Sequence, residues 1–201
     1  MFRLFVGIKI EPTPVILELQ SGLKKTLESS KINWVSPENF HLTLNFLGEV
    51  EEYYVNSLIT ILENIASRFG IFTITYDRLG FFGTQIQPNV IWFAFKKHTL
   101  LDQLKSSIDE ELTELGFKPD RKKFYPHLTL GRVKKYVNTS AFINYINSKN
   151  SQLKGEFCVK EFQLIRSILR SNGPEYAVLN AFKLRNELNS LSLHNDQNGI
   201  N

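Results

Sequence analysis

Cysteine is nearly missing from this sequence: Cys158 stands alone among 201 residues. A lone thiol closes no internal disulfide, which excludes a small stapled secreted scaffold and suits a reducing compartment, so a cytoplasmic location is expected. Long apolar runs are missing as well, and none approaches the ~20 residues a membrane helix needs. The opening Met1-Phe2-Arg3-Leu4-Phe5-Val6-Gly7-Ile8 is broken at once by Lys9 and Glu11, too short for a signal peptide, and reads as a strand. Metal-ligand spacing is lacking: His98 and His194 have no partners at such intervals, the one cysteine lies far from both, and they read as surface histidines. Gly70, Gly80 and Gly83 match no phosphate-cradling loop and read as turn glycines. Neither sign of charge dominates. A formal charge of +4 with a pI near 9.1 permits an anionic partner such as nucleic acid without requiring one.

What the chain does have is apolar mass. Hydrophobic residues make up 42% of it, 16 of them Phe, which excludes a disordered chain and predicts an aromatic-rich core. Residues 2 to 10 read as a strand; Pro12 and Pro14 then introduce a helix over Val15 to Ser30. After a turn-rich stretch at 33–39, Phe40 to Leu47 is a strand ending at Gly48, Glu51 to Phe69 a helix, and Ile71 to Tyr76 a strand. The order then repeats. Val90 to Lys96 is a strand, Leu100 to Leu115 a helix closed by Gly116, His127 to Val133 a strand, Ser140 to Ser148 a short helix, and Phe157 to Leu169 a strand interrupted near Glu161. A turn at Ser171-Asn172-Gly173-Pro174 leads into a last strand, Tyr176 to Leu184. This predicts one bilobal domain over residues 1–185, duplicated in architecture at about 1–85 and 86–185, followed by a frayed tail at 186–201.

Within matching strands of the two units stands the same tetrapeptide, His-Leu-Thr-Leu, at residues 41–44 and 127–130. Side chains alternate along a strand, so His41 with Thr43, and His127 with Thr129, face one way while the leucines face the core. His and Thr are ordinary strand residues, and one copy alone would read as structural. Two copies in corresponding places point to a shared cleft. Displacement at phosphorus needs a base for the attacking water and an acid for the departing oxygen, and two imidazoles with ordinary pKa values of about 6.5 can fill both roles. Threonine hydroxyls can donate to the non-bridging phosphate oxygens.

Around the second copy, a regular strand would turn Arg132 away from His127, whereas a bulge at Gly131 would bring it back to hold phosphate. Tyr125 shares the parity of His127 and could stack on a base, although Pro126 disturbs the count and packing is the ordinary fate of an aromatic residue. Arg121-Lys122-Lys123 and Lys134-Lys135 could form a basic rim for an RNA backbone, or a solvated surface.

Trp34, Asn39-Phe40-His41-Leu42-Thr43-Leu44, Phe46-Leu47-Gly48 and Pro126-His127-Leu128-Thr129-Leu130 with Arg132 carry a family resemblance, as do the opening Phe2 to Ile8, Ser167-Ile168-Leu169 and Gly173-Pro174-Glu175-Tyr176. The chain resembles the two-histidine phosphoesterases, in their LigT-like RNA 2′,3′-cyclic phosphodiesterase branch. The resemblance implies an α+β fold with two pseudo-twofold lobes of antiparallel sheet and flanking helices around a central cleft. It also implies hydrolysis of a terminal 2′,3′-cyclic phosphate to a 2′-phosphomonoester, without metal or other cofactor. His41 would be the proton donor to the leaving 3′ oxygen, His127 the base acting on water, and Thr43 and Thr129 the phosphate ligands; spacing alone assigns no such order. The partner would be RNA with a cyclic phosphate end, or a cyclic nucleotide, bound by a monomer. Two alternatives remain: a 2′-5′ RNA ligase running the reverse reaction, and a module that binds RNA ends or nucleotides without turnover.

Overall fold

The computed structural model describes residues 1–118, 123–136, 139–170 and 173–186. Along the chain lie β1 (Phe2–Lys9), α1 (Pro14–Thr26), β2 (Lys31–Trp34), β3 (His41–Val50), α2 (Val55–Arg68), β4 (Phe72–Gly83) and β5 (Pro88–Phe95). Then follow α3 (Thr99–Glu114), β6 (His127–Lys135), α4 (Thr139–Asn150), β7 (Gly155–Val159), β8 (Glu161–Arg170) and β9 (Gly173–Lys183). Thr13 caps α1 by accepting from the Ile16 N–H, with Pro14 opening the helix where a missing N–H costs nothing. The first turn expected of the second helix is a separate 3-10 turn, Glu52–Tyr54, so α2 starts at Val55. Among the described residues no helix is long and apolar enough to cross a membrane. The tail beyond Asn186, with His194, lies outside the described residues, as do Ser171 and Asn172 of the last turn.

All strands join one antiparallel sheet in the order β7-β4-β5-β6-β3-β1-β8-β9, with β2 also pairing β6. The α+β fold expected from the sequence is the one observed. The two motif strands, β3 and β6, are its middle pair. The strands of the expected units 1–85 and 86–185 interleave: β4 crosses to join β5, and β8 crosses back to pair with β1, with β9 beyond it. The predicted break near Glu161 is real, and it separates β7 and β8, which lie toward opposite edges of the sheet.

Burial follows the strand alternation. Leu4, Val6 and Ile8 of β1, and Leu42, Leu44, Leu128 and Leu130 of the motif strands, are almost wholly buried with Phe40, Phe93, Phe142 and Phe162. The helices cover this side of the sheet, α3 against β3 and α4 against β4 and α1, which leaves the other face of β3 and β6 to present polar groups.

Candidate active site at the paired motif strands

Leu42 pairs with Leu128 between antiparallel strands. Continued by one residue each way, that register would set His41 across from Thr129 and Thr43 across from His127, on the face opposite the leucines. The two histidines would then be diagonal neighbours, their backbones about 7–8 Å apart in a regular ladder, and the charge of His127 reaches the His41 ring.

The two segments match beyond the tetrapeptide. His-Leu-Thr-Leu-Asn-Phe in β3 and His-Leu-Thr-Leu-Gly-Arg in β6 share one burial sequence: partial, buried, partial, buried, buried, exposed. Bulges explain it. In β3 the pairing with β1 passes from Thr43 to Asn45, leaving Leu44 extra, and in β6 the pairing with β5 passes from Thr129 to Gly131, leaving Leu130 extra. Each bulge turns two successive residues inward and reverses the parity beyond. Arg132 thereby joins the face of His127 and lines a cavity of about 350 Å³ together with Trp34, Asn39, His41, Thr129 and Tyr176. The bulge falls on Leu130, and Gly131 beside it serves a close approach: a Cβ there would lie 2.9 Å from both Ile32 and the Trp34 ring.

Each imidazole is oriented in the same way. His41 Nδ1 lies 2.7 Å from the carbonyl of Asn39, and His127 Nδ1 lies 2.7 Å from the carbonyl of Tyr125. A carbonyl only accepts, so Nδ1 carries hydrogen in both and Nε2 is the nitrogen left for chemistry. Each ring also meets an aromatic edge at near right angles, Tyr176 at 5.1 Å from His41 and Phe82 at 5.0 Å from His127. Burial pushes His41 down to about 4; the charges of Arg132, His127 and Lys9 add to the shift, and the Asn39 carbonyl opposes it. Burial lowers His127 too, against its bond to the Tyr125 carbonyl and with help from Arg132. Both shifts favour the neutral imidazole. A phosphodiester anion would favour the charged form of either.

Tyr125, 40% exposed, sits at the rim against Phe82 and Trp92. Of the expected basic rim, Lys123, Lys134 and Lys135 are exposed, while Arg121 and Lys122 lie outside the described residues. His98 stacks on Phe72 at 5.2 Å, away from the motif strands. Among the described residues, no three His, Cys, Asp or Glu side chains gather as a metal-binding group. A second hollow of about 500 Å³, bounded by Arg68, Gln103 and Arg185, contains none of the motif residues. Phe82 had no signal in local sequence as a cleft residue, since β4 reaches the motif strands only through β5. Phe5, whose ring lies 4.8 Å from that of His41, and Tyr176 did have one, in the Phe2 to Ile8 and Gly173-Pro174-Glu175-Tyr176 segments.

The family model of LigT-like phosphoesterases matches residues 6–92 and 96–176. The chain belongs to this family. An RNA 2′,3′-cyclic phosphodiesterase of Archaeoglobus fulgidus is 36% identical over 182 residues, 90% of this chain and 99% of that one. A crystal structure of a Thermus thermophilus protein superposes with a TM-score of 0.73 at 26% identity, covering 92% of this chain and 99% of the other. Escherichia coli LigT complexed with 3′-AMP shares the fold, with a TM-score of 0.67 at 24% identity over 91% of this chain and 98% of its own.

Proposed function

We propose that this LigT-like phosphoesterase opens the 2′,3′-cyclic phosphate at RNA ends, or of cyclic nucleotides, to a 2′-phosphomonoester by metal-independent acid and base catalysis. The observation that carries the reading is the Leu42–Leu128 pairing, which lays the two His-Leu-Thr-Leu strands side by side, with a backbone carbonyl on Nδ1 of each histidine so that Nε2 is the nitrogen left for chemistry. The name borne by the Archaeoglobus relative, at 36% identity, supports the substrate.

The reaction runs in line. His41 takes up a proton from solvent at Nε2 as the anion binds; His127 Nε2 then takes a proton from water as the water oxygen bonds to phosphorus, and His41 gives its Nε2 proton to O3′ as the P–O3′ bond breaks. The product keeps phosphate on O2′ and a free 3′ hydroxyl. Proton exchange with solvent then resets both rings. Thr43, Thr129 and Arg132 hold the non-bridging oxygens, and the incoming anion offsets the burial that keeps His41 neutral. Tyr125, at the rim, can stack on a base of a longer RNA. We take residues 1–185 to act as one bilobal unit, a cytoplasmic monomer in keeping with a single exposed Cys158.

The test is incubation in excess chelator with RNA ending in 2′,3′-cyclic phosphate and with the four nucleoside 2′,3′-cyclic phosphates. A 2′-phosphate with a 3′ hydroxyl is expected from at least one of these substrates. A 3′-phosphate product, or dependence on added metal, would refute the reading. With paired RNA halves added, formation of a 2′-5′ joined strand in place of the phosphate product would favour the ligase.

A further inference from the structure

The ladder between the motif strands is one residue pair long, Leu42 with Leu128. Beyond it β2, rather than β3, runs along β6. Pairing between β3 and β6 themselves therefore gives the two His-Thr sets little hold on one another; the nearest backbone tie runs from the Val35 N–H to the Leu130 carbonyl at 2.9 Å. Buried side chains behind the sheet add to it.

Among the described residues, the buried polar side chains are Gln20, Asn45 and Lys105. All three serve this one junction. Gln20 of α1 donates its amide to the carbonyl of Leu130, the bulge residue of β6, at 3.1 Å, and to that of Val35 at 2.7 Å. Val35 leads, through the 3-10 turn Pro37–Asn39, to the Asn39 carbonyl that orients His41. Asn45, just past the bulge of β3, donates to Asp109 Oδ1 of α3 at 2.6 Å. The other oxygen of Asp109 accepts from Lys105, whose ammonium lies over the Phe124 ring at 5.8 Å. Phe124 precedes Tyr125, whose carbonyl orients His127. Each helix thus ties one motif strand, at its bulge, to the segment that enters the other.

We propose that Gln20 and the Asn45-Asp109-Lys105 chain are positioning residues, two buried clamps that set the separation of His41 and His127. Burying an amide or an ammonium is unfavourable, and apolar side chains of equal volume would fill the same space at least as stably, so a core needs no such groups for packing. A fully bonded polar group adds directionality: it holds donor and acceptor within a few tenths of an ångström, where an apolar contact tolerates sliding. Acid and base acting on one phosphate demand that tolerance, since a 1 Å misplacement can cost about a hundredfold in rate.

This assignment rests on the phosphodiesterase reading, and the test separates the two. Gln20→Met and Asn45→Leu keep side-chain volume and delete the clamp donors, while leaving the Lys105–Asp109 pair in place. Gln20→Glu and Asn45→Ser replace them where an apolar side chain does not fold. Circular dichroism checks the fold, turnover of a nucleoside 2′,3′-cyclic phosphate gives kcat and KM, and NMR titration follows the two imidazoles. Folded variants are expected to lose about ten- to a hundredfold in kcat with KM nearly unchanged, as positioning predicts, and the midpoints of His41 and His127 are expected to move together toward the ordinary histidine value. Unmoved midpoints, or wild-type kcat, in a folded variant would overturn the clamps. The midpoints need no turnover, so inactivity of the wild type would count against the phosphodiesterase reading alone.

Discussion

At the scale of single residues, the cleft is dominated by desolvation. His41 falls to about 4 because burial disfavours its cation, so in the absence of a ligand the folded protein resists protonation that the unfolded chain accepts at about 6.5. Above pH 6.5 both states hold the ring neutral and stability is full; as pH falls from about 6.5 toward about 4 the unfolded state gains the proton first, and stability is lost through that window. His41→Gln should flatten this part of the curve, measured as the urea midpoint against pH. An equally steep fall in the variant would show that the ring is not depressed by burial. A bound anion acts in the opposite direction, raising the pKa of the imidazole that must act as acid.

At the scale of elements, the two bulges do what a regular strand could not. They keep His and Thr on the open face and then bring Arg132 onto it. Trp34 closes this region by lying over Gly131, where a methyl group would meet the ring at 2.9 Å. Gly131→Ala should therefore cost about 1–3 kcal/mol, the usual range for overpacking, and should displace Trp34, read by denaturant unfolding and by Trp fluorescence in Trp92→Phe protein. Unchanged stability and emission would mean that β2 is not held against β6 as described.

How much of this was legible in sequence differs by element. The motif strands, the core leucines and the open faces of His41 and His127 followed from period-two alternation alone. The bulge in β6 was legible as a possibility, because glycine at 131 breaks the strand. The matching bulge at Leu44 had no such signal, since Asn45 gives the backbone no special freedom. β2 had no reading of its own: Lys31 to Trp34 is four residues long, runs into the turn-rich stretch at 33–39, and pairs with the remote β6. β4 runs to Gly83, past the predicted end at Tyr76, because its second half is stabilised by the hairpin with β5 rather than by local preference.

At the scale of the whole molecule, the strand order puts chemistry at the centre and interleaves the chain around it. β4 from the first unit lies between β5 and β7 of the second, and β8 and β9 lie beyond β1. Neither unit holds its own sheet. Fragments cut at 85/86 should each lack cooperative thermal unfolding, whereas the intact chain should melt in one transition; a stable, cooperatively folding 1–85 fragment would contradict the interleaved sheet. In this order β3 and β6 meet at the middle of the sheet through a ladder one pair long.

Joint action of the two motif histidines on one phosphate is tested most directly by kcat for His41→Ala and His127→Ala on RNA ending in 2′,3′-cyclic phosphate, in excess chelator, beside the wild type. Each variant should retain its fold and lose about a hundred- to ten-thousandfold in kcat, the usual worth of a general acid or base. Wild-type turnover in either folded variant would contradict that joint action.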